Sequence, residues 1–282
     1  MNKPPTRPAL RYYGGKWKIA DWIISHFPRH RCYTEGFGGA ASVLLRKPPS
    51  RVEVYNDMSD EIVNLFRVLR NTEQAAELRR LLDLTPWSRS EWLASYELCP
   101  DPVEQARRTI VLAYMSYKSS KALTRKPNGW RSISSGHHRL PHEFQAYTQC
   151  LAEITARLKD VMIEHRDYAS VLSQHDSSET LHYVDPPYLG ELRADRRNTY
   201  QHELWSIEDH QKLAEFLHTL EGYVIISGYP SQEYEAWYEA RGWSTSSCMA
   251  TTSAAVTGKS SRIEMIWLNP RAAAAQKQFS LF

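Results

Sequence analysis

Residues 32–45, CYTEGFGGAASVLL, limit the fold more than any other stretch of the chain. A short β-prone run meets Gly36, Gly38 and Gly39 and passes directly into helix-forming residues. Such a strand–turn–helix junction belongs to βαβ units and a parallel sheet. The glycines have two explanations that the sequence leaves open. Either the backbone approaches a nucleotide-like ligand there, or the tight turn alone excludes side chains. VEVYND (52–57) reads as the next strand, and DEIVNLFRVLR (60–70) as a helix with Ile62, Leu65, Phe66 and Leu69 on one face. KWKIADWIISHF (16–27) predicts a helix ahead of both strands, closed by Pro28.

From about Asn71 the alternation stops. EQAAELRRLLDL (73–84), SEWLASYEL (90–98) and PVEQARRTIVLAYMSY (102–117) are helical in period, with little strand signal between them. A polar, basic stretch (118–142) follows, then one more helix, EFQAYTQCLAEITARLKD (143–160). Strands and helices alternate again through VMIEHRD, LHYVDPPY, IEDHQKLAEFLHTL, YVIISGY, QEYEAWYEARG and RIEMIWLN. The reading is one α/β domain, residues 1–70 and 159–270, interrupted by a mainly helical insertion, 71–158. A tail, 271–282, completes the chain, with Arg271 to Lys277 read as a short spacer.

Composition narrows the class. The 282 residues carry a formal net charge of +3, too little to establish a nucleic-acid partner by itself. Cys32, Cys99, Cys150 and Cys248 are scattered without C-x-x-C spacing, so no disulfide framework or zinc site follows and a reducing cytoplasm is expected. His137, His138 and His142 are read as loop residues, and no metal is expected. No run approaches the ~20 apolar residues of a membrane span, and the N-terminus lacks a signal-peptide core. A monomer is expected.

The strand LHYV ends in Asp185, Pro186, Pro187 and Tyr188. An acid, two rigid residues and an aromatic thus stand at the carboxyl end of a strand, where open α/β sheets place ligands. Proline has no N–H, so its carbonyl can face a cleft while φ stays fixed. A carboxylate beside such a carbonyl offers two acceptors to one amino group, and the tyrosine ring can stack on a flat ring bearing that group. The plain alternative is an Asp-Pro turn with a packed tyrosine. Asp57, about twenty residues beyond the glycine turn, also has two readings. It holds ribose hydroxyls, or it caps the helix that follows. The turn has no P-loop lysine, which argues against an ATP-hydrolysing site.

RYYGGKW, EGFGGAASVLL, VYND, IEHRD, VDPPY and ISGY, in this order, resemble the Dam-type DNA adenine methyltransferases, especially phage and prophage members. The resemblance runs from Arg11 to Pro270. It implies a Rossmann-like methyltransferase sheet with an inserted target-recognition region, in a bacterial cytoplasm. It also implies methyl transfer from S-adenosylmethionine to the 6-amino group of an adenine flipped out of double-stranded DNA. Carried over, Tyr12 and Lys16 contact the cofactor, Phe37 and Gly39 form the turn beneath it, and Asp57 holds its ribose. Asp167 faces its adenine ring. Asp185, Pro186, Pro187 and Tyr188 meet the target base, Asp185 also lying close to the cofactor. Gly36 departs from a frequent proline and Ala41 from a frequent glycine; alanine is tolerated there if its φ is negative. Rival readings are a catalytically silent DNA-binding protein on the same fold, or an amino-methyltransferase acting on cytosine or RNA.

Lys118, Lys121, Arg125, Lys126, Arg131 and Arg139 lie in a segment without Asp or Glu, around an Asn128-Gly129 hairpin signal. Beside the resemblance, this basic hairpin (118–139) is expected to bind DNA. Trp130, near its tip, is expected to enter a groove or fill the gap left by the flipped base. A solvated basic loop is the alternative. The last five residues, QFSLF, resemble the peptide by which bacterial replication and repair proteins bind the sliding clamp. Gln278 would anchor by hydrogen bonds, while Leu281 and Phe282 fill an apolar pocket.

Overall fold

The computed structural model describes residues 4–12, 14–117, 129–132, 139–189, 206–252 and 260–279. Helix α1 (Ala20–Ile24) leads into β1 (Cys32–Glu35), then α2 (Ser42–Arg46), β2 (Val52–Asn56) and α3 (Asp60–Arg70). Among the described residues, α4 (Thr72–Leu84), α5 (Arg89–Ala94), α6 (Pro102–Met115) and α7 (Leu140–Thr148) come next. Helix α8 (Leu151–Leu158) then returns the chain to β3 (Val161–Glu164). The remaining elements are α9 (Tyr168–Gln174), β4 (Thr180–Val184), α10 (Ile207–Leu217), β5 (Tyr223–Gly228), α11 (Gln232–Trp237), β6 (Ser244–Thr252), β7 (Ser260–Leu268) and α12 (Pro270–Phe279).

The strands form one 7-stranded sheet in the order β3-β2-β1-β4-β5-β7-β6. The first five run parallel, so βαβ crossovers built them. The sheet is nevertheless mixed, because β7 and β6 are antiparallel to their neighbours. Helices cover both faces, which explains why β5 reads as an apolar run and β4 as a mainly apolar one. Alternate residues of β5 divide between two buried clusters. Ile225 joins Tyr33, Leu44, Phe66, Ile110 and Tyr147 on one side, while Val224 and Ile226 join Leu172, Leu213 and Trp267 on the other.

The helical segment is packed into that first cluster. α3 lies against α4, α6 and α8, so its apolar stripe is sealed from two directions. Asn71 accepts hydrogen bonds from the amides of Glu73 and Gln74 to cap α4, and Asp101 accepts from Glu104 to cap α6. The seam with the sheet is ionic. Glu53 of β2, Lys47 after α2 and Arg157 of α8 meet with almost no solvent exposure.

Four expectations change. The helix expected over 16–27 shrinks to the five residues of α1, and the one expected over 143–160 divides into α7 and α8. The expected spacer 271–277 is helix: Asn269 accepts from the Ala272 amide at the start of α12, and Ala272 is buried. At about 1.5 Å per residue it spans far less than an extended tail would. Ala41 sits at φ 51, ψ 37, in the left-handed region rather than at negative φ. For an L-residue that conformation costs roughly 1–2 kcal/mol. No helix among the described residues is long and apolar enough to cross a membrane.

Candidate active site

Parallel pairing brings the ends of β1, β2, β4 and β5 to one edge of the sheet. The turns beginning at Gly36, Asp57, Asp185 and Tyr229 therefore open side by side. Strand β2 latches the glycine turn. The Gly38 amide donates to the Asn56 carbonyl at 2.8 Å, the Gly39 amide to Asp57 Oδ2 at 2.8 Å, and the Tyr55 hydroxyl to the Gly39 carbonyl at 2.6 Å. Asn56 also donates to the carbonyls of Gly36 and Arg166 and accepts from the Arg166 amide, which joins the loops after β1 and β3.

Both explanations for the glycines can now be weighed. A Cβ on Gly38 would come within 2.1 Å of the Tyr55 ring, and one on Gly39, at φ +47, within 2.9 Å of the Tyr12 ring. Internal packing alone therefore requires glycine at these two positions. Gly36 has ordinary space around it. The half-buried Phe37 ring lies 5.0 Å from that of Tyr168.

Asp57 uses both oxygens, since Oδ1 accepts from the Ser59 amide at the start of α3 while Oδ2 holds Gly39. Its helix-start reading is thus realised in part, together with a grip on the glycine turn. Asp167 is exposed and caps α9, its Oδ1 accepting from the amides of Ala169 and Ser170.

Lys16 crosses to the turn after β4. Its ammonium donates to the Gly14 carbonyl at 2.8 Å, lies 2.9 Å from Asp185 Oδ1 and sits 4.7 Å above the Tyr188 ring. Lys16 is 5 % exposed. Burial favours its neutral form, but the charges of Asp185 and Glu264 prevail and raise its pKa. Asp185 is also shifted upward, by burial first; Lys16 opposes this and Glu264 adds to it. Oδ1 is buried with the Lys16 ammonium 2.9 Å away, and a carboxylate oxygen has a second lone pair to offer. A buried acceptor in that state can take a further hydrogen.

Glu264, Tyr229, Asn56 and Glu35 also belong to this edge and were given no role from sequence. The Tyr188 hydroxyl donates to Glu264 Oε2 at 2.7 Å, and the Tyr229 ring meets the Tyr188 ring edge-on. Glu35, at the end of β1, accepts from the Tyr33 hydroxyl and the Leu44 amide. Burial pushes its pKa up to about 7 against these bonds, with a contribution from Asp185. The signal for Glu264 was present in RIEMIWL, where one acid sits inside a mainly apolar strand.

Of the basic segment, Lys118, Lys121, Arg125, Lys126 and Asn128 lie outside the described residues, as do Leu281 and Phe282 of the tail. The flanks of the basic segment pair antiparallel: Tyr117 donates to the Gly129 carbonyl and Arg131 to that of Met115. Trp130 is at this base and not at a tip. It packs between Trp87 and Trp92 with ring centroids 5.8 and 5.9 Å away. Arg131 faces Glu143 at 3.4 Å, and Arg139 is exposed at the start of α7. Gln278 falls within α12.

Comparison with known proteins extends the resemblance. The family model for the D12 class N6 adenine-specific DNA methyltransferases matches residues 12–251. The DNA adenine methylase of Salmonella typhi is 24% identical over 242 residues, covering 83% of this chain and 84% of that protein. The DNA adenine methylase of Serratia marcescens is 24% identical over 269 residues, 93% of this chain and 98% of its own length. A type II methyltransferase of Lactococcus lactis subsp. cremoris is 23% identical over 255 residues, 84% and 86% of the two chains.

Proposed function

Because this chain belongs to the D12 class of N6 adenine-specific DNA methyltransferases, we propose that its Asp185–Tyr188 turn receives the target adenine, and that Lys16, Phe37, Asp57 and Asp167 line the place of the methyl donor. Site-specific methylation of adenine in DNA is its activity. The observation that carries the assignment of residues is Asp185, held beside Lys16 at the end of β4 with a buried oxygen still able to accept.

S-adenosylmethionine is the donor that suits these residues. Phe37 offers a half-exposed aromatic face and Asp167 an exposed acid, on loops that Asn56 and Asp57 tie together. Tyr12 lies against Gly39 on the other side of the turn. Bound there, the donor supplies an electrophilic methyl group.

The protein must make an aromatic amine nucleophilic. Its lone pair is delocalised into the ring. The Asp185 carboxylate and the Pro186 carbonyl accept the two amino hydrogens, which favours a pyramidal nitrogen with its lone pair free. Positioning and fixed charge contribute most to such a step. Lys16 keeps the carboxylate in place. The base leaves the duplex to reach the turn, at a cost of a few kcal/mol; stacking on Tyr188 returns about 1–3 kcal/mol. The basic segment whose base Trp130 anchors is assigned to the phosphates of double-stranded DNA.

Clamp docking by the tail rests on its sequence motif alone, and an extended Gln278 would require the last turn of α12 to unwind.

Incubation with duplex DNA and methyl-labelled S-adenosylmethionine, followed by nucleoside analysis, tests the whole reading. Label in N6-methyladenine is expected; label in cytosine, or none, overturns it. Asp57→Ala should weaken donor binding about 10-fold or more, since charge-assisted hydrogen bonds contribute about 1.5–3 kcal/mol and the glycine turn loses its latch. Calorimetry with an unchanged Kd would leave Asp57 a purely local structural acid.

A further inference from the structure

Strand β7 carries to this edge a group that the reaction above does not use. Gly228, the last residue of β5, stands opposite Met265, so Glu264 lies one step beyond it and beside Tyr229. Glu264 is 7 % exposed, and a carboxylate so buried needs a donor. Tyr188 supplies one through its hydroxyl, at 2.7 Å. The same ring has the Lys16 ammonium 4.7 Å over its face and Tyr229 against it at 4.5 Å, inclined by 75°. The hydroxyl and one face are engaged; Glu264 accepts the hydroxyl hydrogen, and Asp185 lies within reach of the same side chain.

We propose that Glu264 is the positioning residue of the methyl-transfer site, fixing the ring plane of Tyr188 on which the flipped adenine is received and setting the charge around Asp185 and Lys16. This rests on the reading of Asp185 and Tyr188 given above. A tyrosine held only at its face can pivot; a hydrogen bond to a buried carboxylate fixes its far end before substrate arrives. The charge acts at the same time. Glu264 raises the pKa of both Asp185 and Lys16, although burial is the larger influence on each. The groups facing Glu264 are Tyr188, Lys16 and Tyr229, with Arg262 stacked on Tyr229 and Cys248 opposite on β6. Tyr183 and Glu35 complete the charged and titratable surroundings of Asp185.

Glu264→Gln, Glu264→Ala, Tyr188→Phe and Asp185→Ala, each in the full chain, separate these contributions in steady-state assays on a duplex the protein methylates. Glu264→Gln keeps an oxygen that can accept from Tyr188 but removes the charge. Its kcat should fall no more than about threefold, while the acid limb of its pH profile moves to lower pH, because one influence raising Asp185 is gone. Glu264→Ala should lose 10- to 100-fold in kcat, about 1.4–2.7 kcal/mol of activation free energy. Combining it with Tyr188→Phe should cost no more than the worse single change. A Glu264→Ala protein with normal kcat, or an unmoved acid limb in Glu264→Gln, overturns the proposal. If the alanine variant does not fold, the glutamine profile alone decides. An active Asp185→Ala protein would overturn the underlying site reading instead, whatever Glu264 does.

Discussion

Replacing Asp185 with alanine is expected to lower methyl transfer at least a hundredfold while the protein stays folded. A hundredfold corresponds to about 2.7 kcal/mol of activation free energy. That is reasonable for a charged acceptor aimed at a reacting amine in a site largely closed to water. Folding should survive for two reasons. Burial raises the pKa of Asp185, so its ionised form opposes folding rather than supporting it. Lys16, deprived of this partner, keeps the Gly14 carbonyl and the charge of Glu264. The upward shift also fixes the pH dependence. Only the carboxylate accepts both as a charge and as a hydrogen-bond partner, so the rate falls as pH drops through its raised pKa. That acid limb should begin at higher pH than an exposed aspartate would give, and it should vanish in Asp185→Asn. A variant keeping more than about a tenth of the wild-type rate would remove Asp185 from the chemistry.

The parts of the molecule that were legible in the sequence are those written in local pattern. β4 and β5 are buried on both faces, and each is mainly apolar and ended by a turn residue. Asp185 and its neighbours could be placed at the sheet edge because two prolines stop β4 where they do. β6 went unread. STSSCMATT is polar and rich in serine and threonine, and its place comes from the ladder with β7 at the sheet margin. α9 has only Val171 and Leu172 buried, too few for a helical period to show; its clearest mark is the cap at Asp167. α12 was misread despite good signals, since Asn269, Pro270 and an alanine run begin a helix well.

Tertiary partners were the least visible. Trp130 directly follows the Asn128-Gly129 pair, which suggests a hairpin tip. Its surroundings are set by Trp87 and Trp92, about forty positions earlier. The glycines illustrate the same limit. Gly38 looks like a ligand-binding feature in sequence, yet the Tyr55 ring beneath it already forbids a side chain. The turn fits a ligand because it is first packed correctly against β2, so structural and functional demands fall on the same residue.

Glu53→Ala should produce the reverse of the Asp185 phenotype, an active protein that unfolds easily. Glu53 Oε1 accepts from Lys47 Nζ at 2.5 Å, from the Ser50 amide at 3.1 Å and from Arg157 Nη2 at 2.8 Å; Oε2 accepts from Arg157 Nη1 at 2.5 Å. Arg157 also donates to the Leu44 carbonyl, so one guanidinium joins α8 to α2 and β2. Burial alone would raise the pKa of Glu53, but its bonds to Arg157 and Lys47 prevail and lower it. The pKa of Lys47 is lowered as well, which for a cation disfavours the charged form, because burial lowers it more than Glu53 restores it. The carboxylate is therefore the hub, and removing it leaves two buried cations close together. Breaking a buried pair by deleting one partner costs about 3–5 kcal/mol. At roughly 2–4 °C per kcal/mol for domains of this size, Tm should fall on the order of 10 °C. The pH dependence follows from the lowered pKa. The stabilising contribution is complete above the unfolded value of 4.5 and is lost as pH falls through the lower folded value. Wild type and Glu53→Gln should accordingly converge in stability only below about pH 4.5. Urea unfolding at several pH values measures this, with methyl transfer at low temperature as the control. A loss under about 1 kcal/mol would mean that Lys47 and Arg157 find other partners, and that the helical segment is held to the sheet by its apolar seam alone.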